Sequence, residues 1–124
     1  MIEATQSGPV EALLTRARKR IETPEAWTQH LTARASDGLA AHYNSASAVA
    51  WCSVGTMWAE RDALKSYNGS HYLARQGFNL LSEAVGHPGS YASISISNDD
   101  PKRTHPEVLG AFDRAIALAR ERGL

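Results

Sequence analysis

Thr104 and Glu107 stand three residues apart at the head of an apolar series, Val108, Leu109, Phe112, Ala115, Ile116 and Ala119, spaced as one face of a helix. In such a capping box each side chain satisfies the other residue's first-turn backbone amide. The pattern predicts an amphipathic helix from Thr104 to about Arg122, with Arg120 and Arg122 near its negative end. Pro106 disfavours a helical His105, which predicts a start one residue later than the box implies. A stripe of this kind needs a core to enter, so the rest of the chain must supply elements that cover it.

Ser7 and Pro9 open a first helix in which Val10, Leu13, Leu14, Ala17 and Ile21 share a face. Thr23-Pro24 then begins a new turn toward Trp27. Between His30 and Tyr43 short polar and apolar alternation surrounds Ser36-Asp37-Gly38, the signal of a small β-hairpin. Ser45 or Ser47 caps a helix running to about Lys65, apolar almost all round from Ala48 to Ala59. Trp51, Gly55 and Trp58 fall on one side of it, and the glycine permits close approach of another backbone. Asn68-Gly69 ends that helix. Ser70 then caps another, whose face is Leu73, Ala74, Gly77, Phe78, Leu81, Ala84 and Val85 and whose stop is Gly86. Strict alternation from Tyr91 to Ser97 predicts a short edge strand at 91–97. The expected fold is mainly α (α+β): one domain over 1–124, a compact bundle of about four helices with a small β-hairpin and that strand.

The 124 residues carry 13 basic and 13 acidic side chains, so no long-range field draws the chain toward nucleic acid. No stretch of about 18 apolar residues is present, so a membrane span is not expected. One cysteine, Cys52, excludes an internal disulfide and a multi-cysteine zinc site; the expected compartment is the cytoplasm.

Ala48-Val-Ala-Trp51-Cys52-Ser-Val-Gly55, Asn98-Asp99, Thr104-His105-Pro-Glu107-Val108 and Phe112-Asp113-Arg114-Ala115-Ile116 together resemble a family of small uncharacterised bacterial and phage proteins. The resemblance spans most of the chain. It implies a Trp-Cys-x-x-Gly helix and an Asn-Asp turn before a Thr-His-capped C-terminal helix, and brings no established activity. Ser97 stands where similar sequences often carry an aromatic residue.

Four constellations bear on chemistry. Cys52 as nucleophile, His105 as base and Asn98 or Asp99 as the group orienting the imidazole would make a thiol hydrolase or transferase. Against it, a cysteine in an apolar segment is ordinarily an inert core residue. His71, His87 and His105 with Asp99 and Asp100 lack metal-ligand spacing, so no metal and no cofactor are expected. Arg16, Arg18, Lys19 and Arg20, with Glu11, Glu22 and Glu25 close by, read as a solvated helix face. Trp51 and Trp58, set against Asn98, Asp99, Thr104 and His105, would line a pocket with an aromatic floor, suited to a ligand or partner; against it, tryptophans are ordinarily core, and Asn98 and Asp99 then hold their loop against the last helix.

The function expected from all this is a non-enzymatic binding or protein-interaction module. Its candidate partners are a protein, a second copy of the chain, or a small molecule. In a phage setting, which the resemblance alone implies, the contact would inhibit a host system. The alternatives are the cysteine-dependent hydrolase or transferase, and a protein that binds a nucleotide-like small molecule.

Overall fold

The computed structural model describes residues 8–64 and 69–124. Ser7, the expected cap of the first helix, and Lys65 and Asn68, at the expected end of the central one, lie outside the described residues.

Helix α1 (Pro9–Arg20) buries Val10, Leu13, Leu14 and Ala17, and Ile21 at its C-cap, along the face that the spacing predicts. It packs against α2 (Ser53–Ala63), α3 (Ser70–Ala84) and α5 (His105–Glu121), which makes it the axis of the bundle. From α5 the core receives Val108, Ala111, Phe112, Ala115 and Ala119, and from α3 Leu73, Ala74, Phe78 and Leu81. Each large side chain so enclosed stabilises the fold by roughly 1.5–3 kcal/mol. The capping box is present: Thr104 Oγ1 accepts from Glu107 N at 3.3 Å and Glu107 Oε1 from Thr104 N at 2.9 Å. α5 begins at His105, one residue before the start that Pro106 suggests, because proline fits the first helical turn, where its missing N–H has no partner to lose.

A 3₁₀ turn (Pro24–Ala26) follows α1, and the small sheet comes next. The Asp-Gly turn is where the sequence expects it. Gly38 takes a φ of 89°, Ala35 N donates to Leu39 O, and Arg34 bridges Ala40. The main partner of β1 (Ala33–Ala35), however, is β2 (Ala48–Trp51), antiparallel, with a bulge between Arg34 and Ala35. Residues 48–51 are therefore strand and not the first turn of the central helix. Ala-Val-Ala-Trp is apolar at every position, and so short a run suits a half-buried strand as well as a buried helix. What decides is pairing, which brings the Trp51 carbonyl to Thr28 N and the Cys52 N–H to Thr32 O. Trp51, Gly55 and Trp58 consequently share no helix face.

α2 starts where Cys52, in extended conformation, offers its carbonyl to Thr56 N and its Sγ to Gly55 N. A Cβ on Gly55 would lie 2.0 Å from Thr32 O, the close backbone approach that the glycine announces. The expected edge strand at 91–97 is absent: Tyr91 is the N-cap, and residues 92–97 belong to α4 (Ala92–Asp99). Ile94 and Asn98, four apart, are buried, whereas Ile96 is 71% exposed, so the alternation of isoleucine and serine marks no sheet face. The fold is thus mainly α, five helices and a two-stranded antiparallel sheet among the described residues. None of these helices is long and apolar enough to cross a membrane.

Candidate functional site

Asn98, in the last turn of α4 and only 2% exposed, ties three parts of the chain together. Its Oδ1 accepts from Trp27 Nε1 at 2.8 Å, from Ser53 N at 3.0 Å and from Ser53 Oγ at 2.8 Å. Its Nδ2 donates to Thr28 O at 3.1 Å and to Asp99 Oδ1 at 3.0 Å. The segment after the 3₁₀ turn is thereby fastened to the start of α2 and the end of α4. Asp99 Oδ1 also accepts from the backbone N–H of His30, a residue held at a φ of 69°, and Gln29 Nε2 reaches the carbonyls of both Asn98 and Asp100. A left-handed conformation costs a non-glycine residue about 1 kcal/mol, which these bonds offset.

The thiol and the imidazole have separate partners. Cys52 Sγ caps α2, and burial, aided by the Asp99 carboxylate, pushes its pKa above the ordinary thiol value. His105 Nε2 lies 2.6 Å from Ile21 O, and its ring stands 6.1 Å from that of Trp27. Thr104 is engaged in the capping box. Trp51 directs its indole N–H to Tyr43 O beneath the Arg20 guanidinium, and Trp58 packs between Phe78 and Arg61. The tryptophan beside Asn98 and His105 is Trp27, so the expected floor of Trp51 and Trp58 does not form there. Arg16 and Arg20 bond the buried Glu60, and Arg18 bonds Asp113. Among the described residues no group of three or more histidine, cysteine or acidic side chains is placed to hold a metal ion.

A pocket of about 410 Å³ opens on the far side of Asn98, between α3, α4 and α5. Buried Ser53, Leu81, Ile94, Asn98, Val108 and Ala111 form its floor, and exposed Pro106, Glu107 and Arg114 its mouth. Its volume lies within the range of small-molecule sites. Arg103, half-buried, completes the rim. Of the residues expected to form a site, only Asn98 lines this pocket. Trp27, Gln29, Ser53, Arg103 and Arg114 escape the sequence reading, since nothing local marks which distant groups they meet. The one available signal is chemical: a tryptophan drawn inside needs an acceptor for its N–H, and Asn98 is a candidate acceptor.

Over residues 5–118 the chain matches the model of a family of unknown function, DUF6197, and it belongs to that family. No curated protein and no solved structure matches it.

Proposed function

Taking membership of DUF6197 as the premise, we propose that the protein is a non-enzymatic binding module acting through the pocket between α3, α4 and α5. The observation that carries this reading is the pocket itself, a concavity of about 410 Å³ with a buried floor and a lining that presents more polar than apolar surface, Arg103, Glu107 and Arg114 at its rim. A few fixed polar groups in such a concavity orient a ligand and select it. The partners of Cys52 and His105 also favour binding over thiol chemistry, because a nucleophilic thiol needs a base within hydrogen-bonding reach and the imidazole here bonds a carbonyl.

The experiment is a thermal-shift screen against a panel of metabolites, run on the native protein and on Gly110→Leu. A Cβ at Gly110 meets only Arg114 Nη1, at 3.5 Å, so the leucine is tolerated by the helix and occupies the pocket wall. A ligand at a hundred times its Kd stabilises the native state by about 2.7 kcal/mol, a rise of several degrees in Tm. The expected outcome is a rise with at least one compound class that disappears in Gly110→Leu. A panel without any rise, or rises that persist in the variant, overturns the pocket as the site. Alkylation of native Cys52 by iodoacetamide at neutral pH as fast as a free thiol would instead favour the hydrolase or transferase.

The proposal also carries the finer expectations. The module works in the cytoplasm and is of bacterial or phage origin. Its contact is extended by a protein partner, either a second copy or, in a phage, a host protein that it inhibits. Light scattering tests the former and a pull-down from the native host the latter.

A further inference from the structure

The pocket between α3, α4 and α5 carries two guanidinium groups whose position is already set. Arg103 Nε donates to Ser97 O at 2.9 Å and Arg114 Nε to Ala84 O at 3.1 Å, so each side chain is tethered to a helix backbone. The terminal nitrogens of Arg114 have no acceptor among the described residues. Those of Arg103 form ion pairs with the carboxylates of Asp100 and Glu107, each at 3.8 Å and without a hydrogen bond. Glu107 is the one acidic residue in the lining; its carboxylate is turned to Thr104 N, and that bond holds its pKa below the usual carboxylate range. Arg103 is thus faced by two carboxylates, Glu107 in the lining and Asp100 just outside it, and Arg114 is the cation of the lining without an acidic partner among the described residues. Behind them half-buried Ala84 and Val85 offer a small apolar surface, with Leu81 and Ile94 enclosed beneath it.

We infer that the pocket takes a monoanionic carboxylate borne on an apolar body, the carboxylate against Arg114 with Arg103 beside it and the body on Ala84 and Val85. This rests on the pocket being a ligand site. The planar guanidinium meets a carboxylate through two parallel hydrogen bonds, and a tethered fork loses little freedom on doing so. One carboxylate matches the charge of Arg114, whereas the second charge of a phosphate monoester faces Glu107 and Asp100, which already oppose Arg103. The volume equals that of roughly a dozen water molecules, room for a medium-length alkyl chain.

Titration calorimetry with octanoate, octanol, octylammonium and octyl phosphate tests this on the native protein, Arg114→Gln and Gly110→Leu. Octanoate is expected to bind at least about tenfold more tightly than octanol, the discrimination that one charge-assisted bond supplies. In Arg114→Gln, octanoate falls to the level of octanol while octanol is unchanged; in Gly110→Leu, neither binds. Equal binding of octanoate and octanol, both lost in Gly110→Leu, overturns the carboxylate inference but leaves a ligand pocket. Tighter binding of octyl phosphate or octylammonium, or octanoate binding that survives Gly110→Leu, overturns it as well. If none of the four probes binds, the inference falls, and the metabolite screen judges the broader reading separately.

Discussion

Removing the amide of Asn98 leaves the Ser53 N–H, the Ser53 hydroxyl, the Trp27 indole and the Thr28 carbonyl without the partner that now satisfies each. Buried polar groups left unpaired cost about 1–3 kcal/mol apiece, so Asn98→Ala is expected to lower unfolding stability by about 3 kcal/mol or more in urea titration. A loss below about 1 kcal/mol would mean that water replaces the amide and that the hub is dispensable. Cys52 makes a second case. Its folded pKa is raised by burial, so the stability tied to its neutral thiol is complete below the ordinary thiol pKa and is lost as pH rises through the folded value. Stability should therefore decline from about pH 8.5 upward. Cys52→Ser keeps an acceptor for Gly55 N, so it should hold stability at pH 7 within about 1 kcal/mol and remove that alkaline decline. Paired denaturant titrations at pH 7 and above pH 9 check both expectations. At this scale the sequence singles out Asn98, Asp99 and Cys52 as residues with work to do, but not their partners. Trp27 and Ser53 lie 71 and 45 residues from Asn98, and such contacts exist only after the chain has folded.

Among the elements, those stated by adjacent residues are legible and those that depend on distant pairing are not. The cap of α5 needs only Thr104 and Glu107, and α1 needs only its own spacing. β2 needs β1, and α4 needs the core that receives Ile94 and Asn98, so Ala48–Trp51 reads as helix and 91–97 as strand until those neighbours are in place. The close contact at the start of α2 gives the sharpest test. Gly55→Ala would put a methyl group 2.0 Å from Thr32 O, and that carbonyl is itself held by the Cys52 N–H. Because backbone on both sides must move, the expected cost is about 3 kcal/mol or more. The loosening should fall first on amide exchange at Cys52 and in β2. Thr104→Ala, by contrast, removes a cap and nothing buried. It should cost about 1 kcal/mol, with faster exchange confined to the first turn of α5. If Gly55→Ala proved as mild as Thr104→Ala, the strand-to-helix junction would not be the rigid seam that its contacts imply.

For the molecule as a whole, the question is whether the helices and the small sheet unfold together. The two ends of the described chain close on each other. Leu124 O accepts from Val10 N at 2.8 Å at the start of α1, where Gly8 offers no side-chain cap, and Arg120 pairs with the buried Glu11 at 2.6 Å. α1 lies against α2, α3 and α5, and the Asn98 hub fastens the loop after the 3₁₀ turn to α2 and α4. One cluster of buried side chains draws on α1, α2, α3, α4 and α5, so no helix can leave without exposing the core of the others. A chain so connected should unfold in one cooperative step. Trp27, Trp51 and Trp58 report on three separate places: the hub, β2 and α2. Their fluorescence and the far-ultraviolet circular dichroism of the helices are therefore expected to follow one urea transition, with a slope of about 1–3 kcal/mol per molar. A fluorescence change that precedes the loss of helix would show that the hub and the sheet open as a unit of their own. The chain would then be a helical core carrying a detachable flap, and the Asn98 bonds would be its latch.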